Sequence, residues 1–377
     1  MSAVRYRPLL YGPLYRLVLQ RIDPERAHAL AAWAMRALQR LPGALALLDR
    51  LLGPRERGLR VEAMGLEFRS PLGVAAGVDK DATWFEGLAA LGFGAVEVGT
   101  VTAAPQPGNP ARPRLSRLPR DRALINALGF PSQGREAAAA RLAARRRTPV
   151  VIGANIGKTK AVEIDDAVAD YRATARALAP HADYVVLNVS SPNTPGLRAM
   201  QTAERLSALV EGVREELRAA APGRRVPLLV KLSPDLGDGE IGEIADLALR
   251  LELDGIVAVN TTVDTAAAPA SAAEVAAQAH GGGVSGPPLR RRALEVLRLL
   301  HARAGGRLTL VSVGGVEHHL DAWERILAGA SLVQANTGLV YGGPLWPRRV
   351  NRGLARCLRD SPWATIEDAV GRGAGSG

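Results

Sequence analysis

The chain has 377 residues, 47% hydrophobic and 4% aromatic, which is enough for one large domain and an appendage. Its single cysteine, Cys357, excludes a disulfide within the chain and a multi-thiolate metal cluster, and no metal is expected. The formal charge of +11 would suit nucleic acid or an anionic membrane surface, but residues 1–57 hold ten arginines against Asp23, Glu25, Asp49 and Glu56 and so supply +6 of it.

At the N-terminal end, Asp23-Pro24-Glu25 reads as a helix start, with a carboxylate at the N-cap, proline in the first position and an early acid. That helix carries Leu30, Trp33, Ala34, Ala37, Leu38 and Leu41 on one face and is stopped by Pro42-Gly43; a second helix, ALALLDRLL, ends at Gly53-Pro54. Two readings of the pair stand open. It is either a helical cap packed on the main domain, or a pair lying on an anionic lipid surface, which an apolar stripe among positive charges would suit. No segment reaches the roughly 18 uninterrupted apolar residues of a spanning helix, and there is no clean apolar signal core. A protein on the cytoplasmic side is expected.

From residue 70 onward, eight short apolar runs alternate with amphipathic stretches: PLGVAAG, AVEVGTV, VVIGANIG, DYVVLNVS, PLLVKLS, GIVAVNTT, LTLVSVGG and SLVQANTG. They are rich in Val, Leu, Ile and Ala without strict alternation, as in parallel strands buried on both faces. Segments 82–91, 161–178, 202–220, 239–252, 289–303 and 318–328 have helical spacing. Eight βα units over 70–358 predict an α/β fold, a (β/α)8 TIM barrel with an N-terminal helical extension, since such barrels run to about 250 residues plus insertions. A doubly wound open sheet is the alternative. The expected division is an extension over 1–58, a barrel over 59–362 and a disordered tail over 363–377.

The 48 basic residues include only four lysines, Lys80, Lys158, Lys160 and Lys231. An ammonium aims at one atom where a guanidinium is a broad fork, so a lysine kept in so arginine-rich a chain is a candidate for function. Six of eight asparagines, Asn126, Asn155, Asn188, Asn193, Asn260 and Asn336, fall in or just after apolar runs, where an unpaired amide is costly. In a barrel the reactive groups sit at the carboxyl ends of the strands. Those ends read Lys80, Thr100, Asn155, Asn188, Lys231, Asn260, Gly314-Gly315 and Asn336-Thr337, so both oddities fall on one rim.

The glycine-bearing ends SVGGV and NTGLVYGG follow the last two strands, where barrels often hold a phosphate on backbone N–H groups. Glycine pairs also occur in ordinary turns, and their shared location is what strengthens the reading. Two lysines and several amides beside a phosphate site fit FMN better than a nicotinamide dinucleotide. A reduced flavin gathers negative charge that a fixed ammonium such as Lys231 would stabilise, although a lysine at a strand end can also simply face solvent.

The stretch SSPNTPGLR at 190–198 then reads as a family signature. Together with RIDPERAHAL, AAGVDKDA, GTVTAAPQPGNP, ALINALGF, GANIGKTK, VKLSPDL, VNTT, GGVSGPPL and SVGGV, in that chain order between about residues 8 and 358, it closely resembles the quinone-dependent class of the dihydroorotate dehydrogenase family. The resemblance implies an FMN barrel of pyrimidine biosynthesis that oxidises dihydroorotate to orotate and passes the electrons to a membrane quinone. It also implies that the leader is the membrane-associated extension of that class, placing the protein peripherally on an anionic lipid surface. By similarity Ser191 is the catalytic base, with Thr194 able to share a water with it. The implied cofactor positions are Ala76, Gly77, Lys80, Thr100, Asn155, Asn188, Lys231, Val259, Gly286, Gly315, Asn336 and Thr337. The implied substrate positions are Lys80, Asn126, Ala127, Leu128, Gly129, Phe130, Asn188, Asn193, Asn260 and Thr261. An amide both donates and accepts, which suits the alternating edge of a pyrimidinedione. Soluble classes of the family place a cysteine where Ser191 stands.

The pattern departs at Ala127, where a basic residue is usual, at Asn336, where a tyrosine is usual, and at Ala82, Leu128 and Val259. Two competing readings remain. A flavin barrel acting on uracil in RNA would need a rim cysteine and a basic groove, and this chain offers neither. A barrel that binds flavin or orotate without turnover is kept open by Ala127 and Asn336.

Overall fold

A computed structural model describes residues 11–146, 150–194, 196–277 and 282–373. The first ten residues of the expected extension, Pro195 of the signature and residues 374–377 of the expected tail lie outside the described residues.

The eight apolar runs form a closed parallel barrel, β1 (Leu72–Val74), β2 (Ala95–Val101), β3 (Val151–Ile156), β4 (Tyr184–Asn188), β5 (Leu228–Leu232), β6 (Gly255–Ala258), β7 (Thr309–Val313) and β8 (Leu332–Ala335). Each strand pairs with its sequence neighbours, and β8 closes on β1 through Val333↔Leu72, Gln334↔Gly73 and Ala335↔Val74. Closure excludes the open doubly wound sheet. Most strand residues are buried on both faces, which is why these runs are continuously apolar instead of alternating. Helices such as Ala167–Leu178, Ala203–Ala220, Asp238–Arg250 and Arg290–Ala304 cover the outside with their apolar stripes.

The barrel interior carries a polar layer. Glu97 on β2 is fully buried; its Oε1 accepts from Asn155 Nδ2 at 2.8 Å and its Oε2 from Gln334 Nε2 at 2.8 Å. Tyr184 fills the space beside it because Gly153, its partner across β3 and β4, has no side chain: a Cβ there would lie 2.1 Å from the Tyr184 ring.

Ahead of the barrel, α1 (Tyr11–Leu17), α2 (Pro24–Gln39) and α3 (Ala44–Leu52) form the extension. The Asp23 side chain accepts from Arg26 N–H at 3.0 Å, and Pro24 opens α2. Ala32 and Met35 of α2 pack on the main core. Of the stripe read from the sequence, Leu30 is 50% and Trp33 62% exposed, Ala37 and Leu38 are half-buried, and Leu30 and Ala34 border the cavity described below. A short antiparallel hairpin, Val61–Ala63 with Leu66–Phe68, precedes β1.

Two expectations need correction. A three-stranded antiparallel sheet, Leu115–Leu118, Ala123–Asn126 and Gly283–Ser285, was not among the expected elements. The expected disorder over 363–377 does not hold for 363–373, where Thr365 caps the helix Ile366–Ala369 in a capping box and buries Ile366 and Ala369.

Candidate active site

The carboxyl ends of the strands open into a cavity of about 550 Å³. Of the expected site residues, Ser191, Ala76, Gly77, Lys80, Thr100, Asn188, Lys231, Val259, Gly286, Gly315, Asn336 and Thr337 line it, as do Asn126, Leu128, Gly129, Phe130, Asn193, Asn260 and Thr261. Asn155 and Ala127 do not. Asn155 sits one layer down, with its amide spent on Glu97 and its Oδ1 accepting from Thr100 Oγ1 at 2.6 Å and Asn188 Nδ2 at 3.1 Å. It therefore orients two cavity residues without touching the cavity. Ala127 follows Asn126 at the end of a strand and so points the other way, with its N–H bonded to Arg114 O and its carbonyl to Asn109 Nδ2.

The rim amides form a connected web. Asn188 Oδ1 accepts from Ser190 Oγ at 3.1 Å, Asn260 Nδ2 donates to Ser190 Oγ at 3.0 Å, and Asn193 Nδ2 donates to Asn126 O at 3.1 Å. Each side chain is thus held in one orientation before any ligand arrives, which limits the ordering cost of binding. The Asn193 N–H donates to Ser191 Oγ at 3.2 Å. That donor would stabilise negative charge building on the serine oxygen. Thr194 is buried and lies off the cavity wall.

Lys231 at the end of β5 is buried, and Lys80 after β1 is partly buried; neither ammonium has a hydrogen-bond partner among the described residues. Burial pushes both below the usual lysine range, with Glu97 opposing the shift at Lys231 and Asp81 and Asp79 opposing it at Lys80. Two ammonium groups on a dry wall with no protein partner call for an electron-rich ligand.

A cradle without bulky side chains lies across the cavity. Gly314 and Gly315 follow β7, and Gly315 has φ +76° with a virtual Cβ only 2.5 Å from Arg290 Cα, so a side chain is excluded there. Thr337 starts the short helix Thr337–Gly342, and its Oγ1 lies 2.8 Å from Ser285 Oγ. No protein acceptor takes the Gly315 N–H among the described residues. Orphaned N–H groups beside two hydroxyls suit a phosphate, and the lysine-lined wall suits a flat polar ring system, so these residues fit FMN.

The same cavity continues into the extension. Tyr11, Tyr15, Leu19, Ala31, Ala34 and Met35 line its far end. Of these only Ala34 was named from the sequence, as part of the apolar α2 face; the others were not legible. At the junction His28 Nε2 lies 2.6 Å from Val78 O, and burial, with Lys80 nearby, holds the imidazole pKa at about 4. Glu25 anchors the start of α2 to Arg114 through two bonds of 3.1 and 2.6 Å, and that guanidinium lowers the carboxyl pKa. Arg114 in turn holds Pro107 O at 2.8 Å.

Comparison with known proteins gives one family. The family model described as dihydroorotate dehydrogenase matches residues 58–358. A dihydroorotate dehydrogenase (quinone) of Thermobifida fusca is 54% identical over 367 residues, covering 96% of each chain. Its namesake in Streptomyces coelicolor is 53% identical over 370 residues, covering 96% of this chain and 98% of the other. A crystal structure of Eimeria tenella DHODH in complex with ferulenol superposes with a TM-score of 0.83 at 34% identity, covering 97% of this chain and 99% of that one.

Proposed function

Because the chain belongs to the dihydroorotate dehydrogenase family, we propose that this one cavity serves two half-reactions, one at each end, with FMN held between them. The enzyme oxidises dihydroorotate to orotate in pyrimidine biosynthesis and delivers the electrons to a quinone. The family assignment sets aside the uracil-reducing reading.

FMN, when bound, supplies the two-electron chemistry, taking hydride from the substrate and giving the electrons up to the quinone. The residues of the chain do the rest. Asn126, Asn193, Asn260 and Thr261 grip the alternating donors and acceptors of the pyrimidine ring. Ser191 takes the carbon-bound proton as its own hydroxyl proton passes on to solvent water, with the Asn193 N–H steadying the oxygen during the transfer. A serine is a weak base, so its competence rests on position and on a dry pocket. Lys80 and Lys231 supply fixed positive charge, while Gly286, Gly315 and Thr337 hold the cofactor phosphate.

We divide the chain functionally at residue 58, with quinone access before it and the barrel after it. What supports this is the continuity of the cavity from the amide-rich rim to the apolar faces of α1 and α2. Eight of the twelve large apolar side chains that are exposed among the described residues lie between Leu14 and Leu51. No helix among the described residues is long and apolar enough to cross a membrane. An exposed apolar patch ringed by arginines suits peripheral docking on the anionic, cytoplasmic face of a membrane, from which a long-tailed quinone enters between the helices.

The test is direct. Purified protein should be yellow, dihydroorotate should bleach it without oxygen, and a lipophilic quinone should restore the colour. A colourless protein, or flavin that dihydroorotate leaves oxidised, would overturn the reading and favour a barrel without turnover.

A further inference from the structure

Arg325 lies on the helix His319–Leu327, directly behind the Gly314-Gly315 turn, and is fully buried. Its Nη2 donates to Gly314 O at 3.1 Å and to Arg290 O at 2.6 Å, while Nε and Nη1 have no hydrogen-bond partner among the described residues. Among the described residues no carboxylate lies within ion-pair distance: Glu324, next in the chain, and Asp321 act on the guanidinium only from further off, and Asp321 is itself paired with His318 at 2.7 Å and Arg290 at 3.3 Å. Burial lowers the Arg325 pKa to about 10, far above neutral pH, so the group is charged. An unpaired buried guanidinium is costly and needs a reason.

The peptide plane supplies one. In a trans peptide the C=O and the following N–H point to opposite sides. Arg325 pulls Gly314 O backward, and Arg290 Nε does the same to Gly315 O at 3.2 Å. The N–H groups of Gly315 and Val316 are therefore turned forward, and both residues line the cavity. Arg290 is already neutralised by Glu317 at 3.0 Å and by Asp321. Arg325 is not, so its charge remains behind the turn.

We propose that Arg325 is a positioning residue for the phosphate end of the cofactor: it fixes the Gly314-Gly315 peptide with its N–H facing the phosphate and places behind it a positive charge that has no direct ion-pair partner. This rests on the FMN reading above and deepens it. The arginine never touches the ligand. Its effect is specific to the phosphate, because its hydrogen bonds reach Gly314 O and Arg290 O and none of the substrate amides.

The experiment compares FMN with riboflavin, which lacks the phosphate, as ligands of the full-length chain stripped of flavin. Arg325→Met should weaken FMN about 10- to 100-fold, the span of a lost charge-assisted contact, and leave riboflavin within about twofold. Arg325→Lys keeps the charge but not the fork and should fall between Met and wild type. Should Arg325→Met fail to fold, the Arg325→Lys ratio decides alone: a loss for FMN exceeding that for riboflavin supports the proposal. Equal weakening of both ligands, or of neither, overturns it and leaves Arg325 a packing residue. A wild-type chain that binds neither flavin would instead overturn the cofactor reading itself.

Discussion

The two ends of the cavity are built on opposite physical logics. At the barrel rim, asparagines, serines and lysines stand on the ends of rigid strands, already bonded to one another, as in the Asn188–Ser190–Asn260 group. At the extension, the wall is alanine, leucine, methionine and tyrosine carried by the α1 and α2 region, and the outward face of α2 leaves Trp33 in solvent. The rim is ordered for a small polar substrate of fixed shape. The extension offers apolar area with little directional bonding, which suits a flexible lipid-like partner. The contrast teaches that one cavity can hold two substrates if a redox group spans the distance between their sites.

The largest expected effect isolates the rim. Ser191→Ala should slow flavin reduction by dihydroorotate by roughly 10²- to 10⁴-fold, the usual worth of a positioned proton acceptor, with FMN content and quinone reoxidation unchanged. Stopped-flow absorbance reads both, and near-wild-type reduction would remove Ser191 from the mechanism.

Lys231→Met probes the rim's charge instead of its proton transfer. Losing a charge-assisted contact of about 1.5 to 3 kcal/mol should lower the two-electron midpoint potential by about 30 to 65 mV. An unchanged potential in fully flavinated protein would mean that the ammonium acts only on Glu97.

The junction between the ends has a pH signature. His28 is neutral in the fold, with its pKa at about 4 against 6.5 when free. The unfolded chain therefore binds this proton first as pH falls, so the associated stability is full above pH 6.5 and is lost as pH drops toward 4. Wild type should lose about 2 kcal/mol more than His28→Gln between pH 7 and 4.5, measured by urea unfolding. Parallel curves would place the imidazole in water.

The smallest effect lies in the turn after Lys80. Ala82 has φ +53°, a region that costs an L-residue about 1 to 2 kcal/mol, while glycine gives part of that back in unfolded-state entropy. Ala82→Gly should stabilise the protein by less than about 1 kcal/mol, seen as a small rise in Tm. A fall in Tm would show that the buried methyl matters more than the backbone.

Much of the rim was legible because strand ends and cavity walls coincide in a barrel, so an amide after an apolar run lands near the site. The exceptions have a common cause. Asn155 and Ala127 are displaced by side-chain direction, which depends on strand register and on partners such as Glu97 that no local pattern reveals. The antiparallel sheet escaped because its strands are short and Asn126 finds Gly283 across 157 residues, although the PRDR turn between two four-residue apolar-edged runs was a usable hint. On α2 the apolar stripe was read correctly as a stripe, but a packed cap and a pair lying on lipid both stayed open. A helix against a partner hides its small residues, Ala32 among them, and can leave larger ones outside. Arg325 gives no sequence signal, since a lone arginine in an amphipathic helix reads as solvated.

The claim that the ends serve separate half-reactions is tested most directly at Ala31, an exposed residue of α2 on the cavity wall. Ala31→Glu puts a carboxylate where an apolar tail would lie, and rapid mixing can follow each half-reaction alone in the FMN-loaded, full-length enzyme. Flavin reduction by dihydroorotate should keep its wild-type rate, while reoxidation by a lipophilic quinone should slow by about 10- to 100-fold, the cost of crowding an unpaired charge against apolar surface. Equal slowing of both half-reactions, or of neither, would contradict the account.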